Sequence, residues 1–292
     1  MLRKPPTKTI NEQRKITMNI LRRPGTICQL ISMLTLAVLF ASCSSVPLTG
    51  RRQLNLIPSS TMLSMSATEY GDFLKSNKIS SDKINTDMVT AVGHRVQSAV
   101  EKYMAQNNLS DRLNGYKWEF NLVESDQVNA WCMPGGKVVV YTGILPVTKD
   151  ENGLAVVLGH EIAHAIAEHG GERMSQGLLA QLGGVALSEA LKQKPEQTKA
   201  LWMTAFGVGV QYGALLPFSR TQESEADHLG LIFMSMAGYD PNNALAFWTR
   251  MAQQSAGKAP PEFLSTHPSD QTRIAAIKDE LPEAMKYYKP GH

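Results

Sequence analysis

Apolar residues at Ile84, Met88, Val92, Val96 and Val100 recur every four positions, which predicts an amphipathic helix whose stripe faces a core. Ser81 and Asp82 open it, and His94 lies off the stripe, a structural or solvent-facing residue. A shorter helix through Met65 to Leu74 is predicted upstream, capped by Ser59-Ser60, after an arm or short strand from Gln53 to Ile57. Lys117 to Val123 alternates in polarity and predicts a strand. Val128 to Met133, the turn Pro134-Gly135-Gly136 and Lys137-Val138-Val139-Val140-Tyr141 predict a hairpin whose second strand is β-branched.

Val147 to Asp150 leads into Leu154–His169, a proline-free run that predicts the next helix. Met174 to Leu191, which has few charges and contains Gly183-Gly184, forms another, broken at Lys192-Gln193-Lys194-Pro195. Residues 200–219 carry no charge, the composition of a membrane span. Gln211, Pro217 and three glycines in that run argue instead for a buried or groove-lining helix. Pro241 starts a helix with Phe247 and Met251 on its apolar face, 255–261 is a loop, and a last helix covers about 269–278. The tail from Tyr287 onward is expected to be disordered.

The Leu154–His169 run contains His160-Glu161-Ile162-Ala163-His164. Residues four apart share a helical face, so His160 and His164 can present two imidazole nitrogens to one metal ion, with Glu161 as general base for an activated water. A catalytic zinc site needs a third protein ligand. Carboxylates and His169, His228 and His267 follow the motif; His169 is displaced from the ligand face unless the helix ends before it. Glu223 and Asp227, four apart, are better placed: one can ligate while the other orients a ligand imidazole, and periodicity leaves the two roles open.

The amino terminus changes the picture of charge. Residues 1–42 hold seven Lys/Arg against Glu12, so a net +3 chain of 292 residues has a remainder near −3, and nucleic acid is not an expected partner. Arg22-Arg23 followed by apolar residues Ile27 to Phe40 predicts a secretory signal over residues 1–42, with Met18 an alternative start. Phe40-Ala41-Ser42-Cys43 resembles a bacterial lipobox, with Phe40 where leucine is usual, and makes Cys43 the acylated first residue of an outer-membrane lipoprotein facing the periplasm. The alternatives are cleavage near Ala41, leaving a soluble periplasmic protein, and an uncleaved anchor. Cys28 and Cys43 are thereby accounted for, and Cys132 is expected to be a packing residue near the site rather than half of a disulfide.

Four segments in order carry a family resemblance: Pro134-Gly135-Gly136, His160 to His164, Glu223 to Asp227, and Thr266-His267-Pro268-Ser269 with Arg273. Together they resemble the zinc metallopeptidase family of the CAAX prenyl proteases, the bacterial heat-shock membrane protease and the mitochondrial inner-membrane stress protease. The compact form is similar to its periplasmic lipoprotein members. The resemblance implies a mostly helical α+β, zincin-like domain over 60–284, with a small antiparallel or mixed sheet whose edge strand borders the cleft. Residues 43–59 would then be anchor and tether, and 285–292 a flexible tail. It implies one zinc ion on His160, His164 and Glu223, with Glu161 as base and Asp227 as partner of a ligand histidine. It further implies that His267 either stabilises the oxyanion or caps the zinc, and that Arg220 and Arg273 have structural or orienting roles.

The expected activity is endopeptidase action on unfolded or misassembled envelope proteins. Gly135, Gly136 and Lys137 to Val140 are the expected substrate-binding residues, on the reading that this strand is an edge able to pair with an extended peptide. Outer-membrane assembly components are possible partners, and membrane contact is through the lipid anchor alone. The rival reading is a chaperone-like or latent zinc-binding lipoprotein.

Overall fold

The computed structural model describes residues 43–47, 49–194, 196, 219–254, 261–267 and 271–290. The chain divides after Ser44, and the site lies wholly within Ser45–His292. Strands β1 (Cys43–Ser45) and β2 (Arg52–Leu54) form a short ribbon. Helices α1 (Ser59–Ser76) and α2 (Lys83–Gln106) follow, then β3 (Glu119–Val123), β4 (Ala130–Met133) and β5 (Lys137–Tyr141). A short α3 (Leu145–Thr148) leads into α4 (Glu151–Ile166) and α5 (His169–Ala190). Beyond the undescribed 197–218 come α6 (Arg220–Met236), α7 (Asn243–Gln254), α8 (Glu262–Thr266) and α9 (Gln271–Ala284). This is the mostly helical α+β, zincin-like architecture that the resemblance implies, with a three-stranded mixed sheet.

Asp82 caps α2 by accepting from the Asn85 N–H, and Val89, Val92, Val96, Val100 and Met104 face the core. Ile84 departs from the expected stripe: it lies in the first turn and is 83% exposed. At α1, the residue preceding the helix is Pro58, so Ser59-Ser60 are its first turn and not its cap. Pro241 precedes rather than starts α7. The arm before α1 agrees with the expected short strand or packed arm: Arg52–Leu54 form β2, and Val46 and Gln53 are buried. At the other end Tyr287 packs against the core. The uncharged 200–218 stretch lies outside the described residues, and no described helix is long and apolar enough to cross a membrane.

The hairpin forms as predicted: β4 runs antiparallel to β5, with Gly135 and Gly136 at φ 88° and 76° in the turn. The expectation that β5 is an edge is wrong. Sheet order is β3-β5-β4, with β3 parallel to β5 along its other side, so every residue from Lys137 to Val140 is flanked by two strands. Its faces are covered too. Val138 and Val140 join the main core, whereas Val139 and Tyr141 pack with Tyr70, Phe73 and Trp131 on the α1 side. Lys137 is buried, its ammonium donating to the Lys117 carbonyl and pairing with Glu119. The terminal strands are β3, which meets residues 78–80 through the Ile79–Val123 bridge, and β4, which also packs on α4.

Candidate active site

Asp150 caps α4 by accepting from the Gly153 N–H, and every residue from Gly153 to Ile166 is buried. The helix must therefore be contacted on all sides, and its principal neighbour is α6. Ser219 and Gln222 form a capping box that fixes the start of α6 at Arg220, three residues before Glu223. Glu223 and Asp227 thus sit on the first turns of a helix that lies directly against the motif.

The outcome is a buried cluster of four donors: His160, His164, Glu223 and His267. His160 Nε2 lies 3.1 Å from His164 Nε2 and 3.2 Å from His267 Nδ1. Glu223 Oε2 is 3.5 Å from His160 Nε2, and its Oε1 is 3.4 Å from His164 Nε2 and 2.9 Å from His267 Nδ1. Ligands on a tetrahedral zinc with bonds of roughly 2.0–2.1 Å stand about 3.4 Å apart, so the spacing and the donor types fit one zinc ion. The two motif histidines and Glu223 behave as expected. His267 brings a nitrogen, not a distant hydrogen bond, into the same shell.

Asp227 Oδ1 lies 3.0 Å from His160 Nδ1, the nitrogen turned away from the cluster, which resolves the open choice between the two carboxylates. Arg273 is also part of the site. It donates to both Asp227 oxygens at 2.7 and 2.8 Å, lies 2.8 Å from Glu223 Oε2, and stacks 3.6 Å above the Trp248 ring. Arg220 is exposed on the first turn of α6 and stands outside the cluster. His228 is half-buried and pairs with Glu280 at 3.3 Å, also away from it.

Electrostatics follow from this packing. Burial opposes charge on Glu223, yet hydrogen bonds from His160, His164 and His267 hold its carboxyl far below the usual range. Burial likewise opposes charge on Asp227, and Arg273 and His160 outweigh it. For His160, burial is overcome by the bonds to Asp227 and Glu223, which lift its pKa to about 9, whereas burial drives His164 well down. Glu161 is raised, mainly by burial, towards the range in which a carboxylate works as a base. Its Oε1 is buried with no hydrogen-bond partner among the described residues and lies 3.5 Å from His267 Nε2. Cys132 is near enough for Glu161 to add to the burial that pushes its thiol up, so it is a protonated packing residue.

Sequence reasoning missed a second layer. Helix α4 ends because Glu168 is left-handed, at φ 60°, and His169 begins α5. His169 thereby turns its Nδ1 to within 2.9 Å of His164 Nδ1, on the side of that ring away from the metal locus. Behind it lie Glu225, Arg51, Glu172 and Gln222, contributed by three separate segments. The alternation Glu223, Glu225, Asp227 was the available signal, but nothing in it named Arg51 as a partner.

A buried His-His-Glu set with a neighbouring carboxylate, on a mostly helical α+β frame, has the donor chemistry of a zinc metallopeptidase site. The model of peptidase family M48 matches residues 91–281, and the chain belongs to that family. Among its relatives, the mitochondrial metalloendopeptidase OMA1 of Schizosaccharomyces pombe is 39% identical over 192 residues, 65% of this chain and 53% of that protein. The human metalloendopeptidase OMA1 is 31% identical over 248 residues, 82% of this chain and 46% of its own. The beta-barrel assembly-enhancing protease of Escherichia coli is 28% identical over 170 residues, 56% of this chain and 34% of its own. The chain thus spans about half or less of the length of these relatives.

Proposed function

We propose that this metalloendopeptidase cleaves unfolded or misassembled protein segments in a bacterial envelope, as a lipoprotein acylated at Cys43. The observation that carries the peptide reading is β4. It has a strand neighbour on one side among the described residues and packs on the motif helix. An extended segment added along β4 would be held by backbone hydrogen bonds, which favours chains that can straighten over folded surfaces. The substrate-pairing role expected of Gly135, Gly136 and Lys137 to Val140 therefore passes to β4. The lipobox-like Phe40 to Cys43 supports the location, and the name of the Escherichia coli relative supports outer-membrane assembly components as partners.

Bound zinc supplies a Lewis acid for the scissile carbonyl and acidifies the attacking water. Glu161 takes that water's proton and passes it to the leaving amine, two steps for which a buried, raised carboxyl is suited. Asp227 and Arg273 hold His160, and burial of the donors excludes bulk water.

A second reading, latency, is favoured by His267. With Nδ1 at 2.9–3.2 Å from two other donors, it occupies the position a catalytic site leaves open. His267 would then cap a bound zinc ion, and cleavage would require α8 to carry it away, a change that a segment bound on neighbouring β4 would favour. The Phe263 N–H donates to the Val128 carbonyl just before β4, so the two elements are joined directly.

The test is product identification after incubating zinc-loaded wild type and Glu161→Gln with unfolded casein, a folded control protein and envelope extract. Cleavage of casein and selected envelope proteins by wild type alone is expected. Cleavage confined to the folded control would refute the reading, and no difference between the two proteins would favour a latent or chaperone-like role.

A further inference from the structure

His164 directs Nε2 into the metal cluster and Nδ1 out of it, towards His169 Nδ1 at 2.9 Å. His169 Nε2 lies 3.2 Å from Glu225 Oε2. His169 is 0% exposed and Glu225 5%, so neither contact is relaxed by water. A neutral imidazole carries one proton, and the nitrogen that binds metal must be bare. His164 therefore holds its proton on Nδ1. For that proton to be donated, His169 Nδ1 must be the bare nitrogen, and His169 must carry its own proton on Nε2. That proton then points at a carboxylate. Any other assignment sets two N–H groups or two lone pairs against each other.

Glu225 is itself fixed. Arg51 Nε donates to its two oxygens at 2.9 and 2.8 Å, and the Thr49 hydroxyl donates to Oε1 at 2.7 Å. Arg51 also makes a bidentate pair with Glu172 at 2.8 Å on both bonds, and Glu172 accepts from Gln222 at 2.7 Å. These partners hold the Glu225 carboxylate in place behind His169.

We propose that His169 is a positioning residue that fixes the tautomer and ring orientation of zinc ligand His164, with Glu225 as its carboxylate anchor. His160 has Asp227 directly behind it; His164 has a carboxylate one imidazole removed, and both carboxylates come from α6. The buried chain differs in purpose from a salt bridge that only fastens the arm, because its direction of donation is set by the metal. Arg51 and Thr49, on the arm before α1, form its outer end. The proposal rests on the zinc site and not on the envelope substrate.

Two readouts test it, neither of them proteolysis. Nitrogen-15 spectra of histidine-labelled, zinc-loaded wild type are expected to show His169 protonated on Nε2 and bare on Nδ1. A proton on Nδ1 overturns the proposal. Zinc affinity, measured by chelator competition, is expected to fall about 10- to 100-fold in His169→Phe, which keeps bulk but accepts no hydrogen bond. His169→Asn, whose amide oxygen can stand where Nδ1 stands, is expected to recover most of that loss. Lowered metal-free melting temperature with unchanged zinc affinity in His169→Phe would show a merely structural role. Equal loss in both variants would also overturn the proposal, and if His169→Phe does not fold, the wild-type tautomer decides. Zinc binding that behaves as expected without envelope cleavage would sink the substrate reading and leave this one standing.

Discussion

Gly159 and Gly230 bring the motif helix and the Glu223 helix together backbone to backbone. A Cβ on Gly230 would stand 2.9 Å from His160 N, and one on Gly159 would stand 2.8 Å from the Gly230 carbonyl oxygen. Helix backbones cannot yield as a flexible side chain can, so the helices must separate if either residue gains a methyl. Gly230→Ala is expected to destabilise the metal-free protein by about 1–3 kcal/mol, the usual effect of overpacking. Because Glu223 rides on the displaced helix, zinc affinity should fall as well. Chemical denaturation and chelator competition on the same variant check both.

Glu161 is buried beside the donors without holding the cluster together. Glu161→Gln should therefore keep stoichiometric zinc while losing about 10²- to 10⁴-fold in kcat, the contribution of a positioned proton carrier. Metal analysis alongside peptide hydrolysis separates this from a site that has come apart.

Arg273 lies between Asp227 and Glu223 and is 9% exposed. Removing it leaves two buried carboxylates without their cation. Arg273→Met should cost about 3–5 kcal/mol in the metal-free protein, the penalty for breaking a buried charge pair. Zinc, which restores a positive charge beside Glu223, should recover part of it. Thermal melts with and without metal would show this, and an equal loss in both would refute it.

His267 is the fourth donor, and its removal opens the shell. His267→Ala should bind zinc more weakly yet cleave an unfolded substrate faster than wild type at saturating zinc. Slower cleavage would assign His267 to oxyanion stabilisation instead.

The Arg51–Glu172 pair predicts an acid response. Glu172 is depressed below its ordinary 4.5: burial opposes its charge, but Arg51 and Gln222 prevail. A depressed carboxyl contributes stability above its unfolded value and loses it as pH falls through the folded one. The melting-temperature gap between wild type and Arg51→Gln should therefore be widest near neutral pH and close as pH drops below 4.5. A gap independent of pH would refute this.

Much of the site was legible because its pieces obey local rules. His160 and His164 share a face through helical periodicity alone, and Glu223 with Asp227 does the same. Spacing alone left the division of labour between Glu223 and Asp227 open, because a four-residue interval is symmetric; the family resemblance implied it, and the approach of His160 Nδ1 to Asp227 is what breaks the symmetry. The Lys137–Tyr141 strand misled for a related reason. A β-branched run reports that a strand is buried, but its position in the sheet depends on where β3 returns, and β3 joins it in parallel on its far side.

The sequence by itself determined the helix that carries His160, Glu161 and His164, the capped start of the Glu223 helix, and the turn at Gly135-Gly136. Each of these depends on residues within a few positions of one another. Tertiary structure decided what stands on the outer sides of the ligands: Asp227 and Arg273 behind His160, His169 and Glu225 behind His164, and His267 across the open position. These partners are separated by tens of residues or more, apart from neighbouring His169. Its contact depends on the left-handed Glu168 that ends the motif helix. Spacing along a chain fixes which face a side chain occupies, and only packing fixes what that face meets.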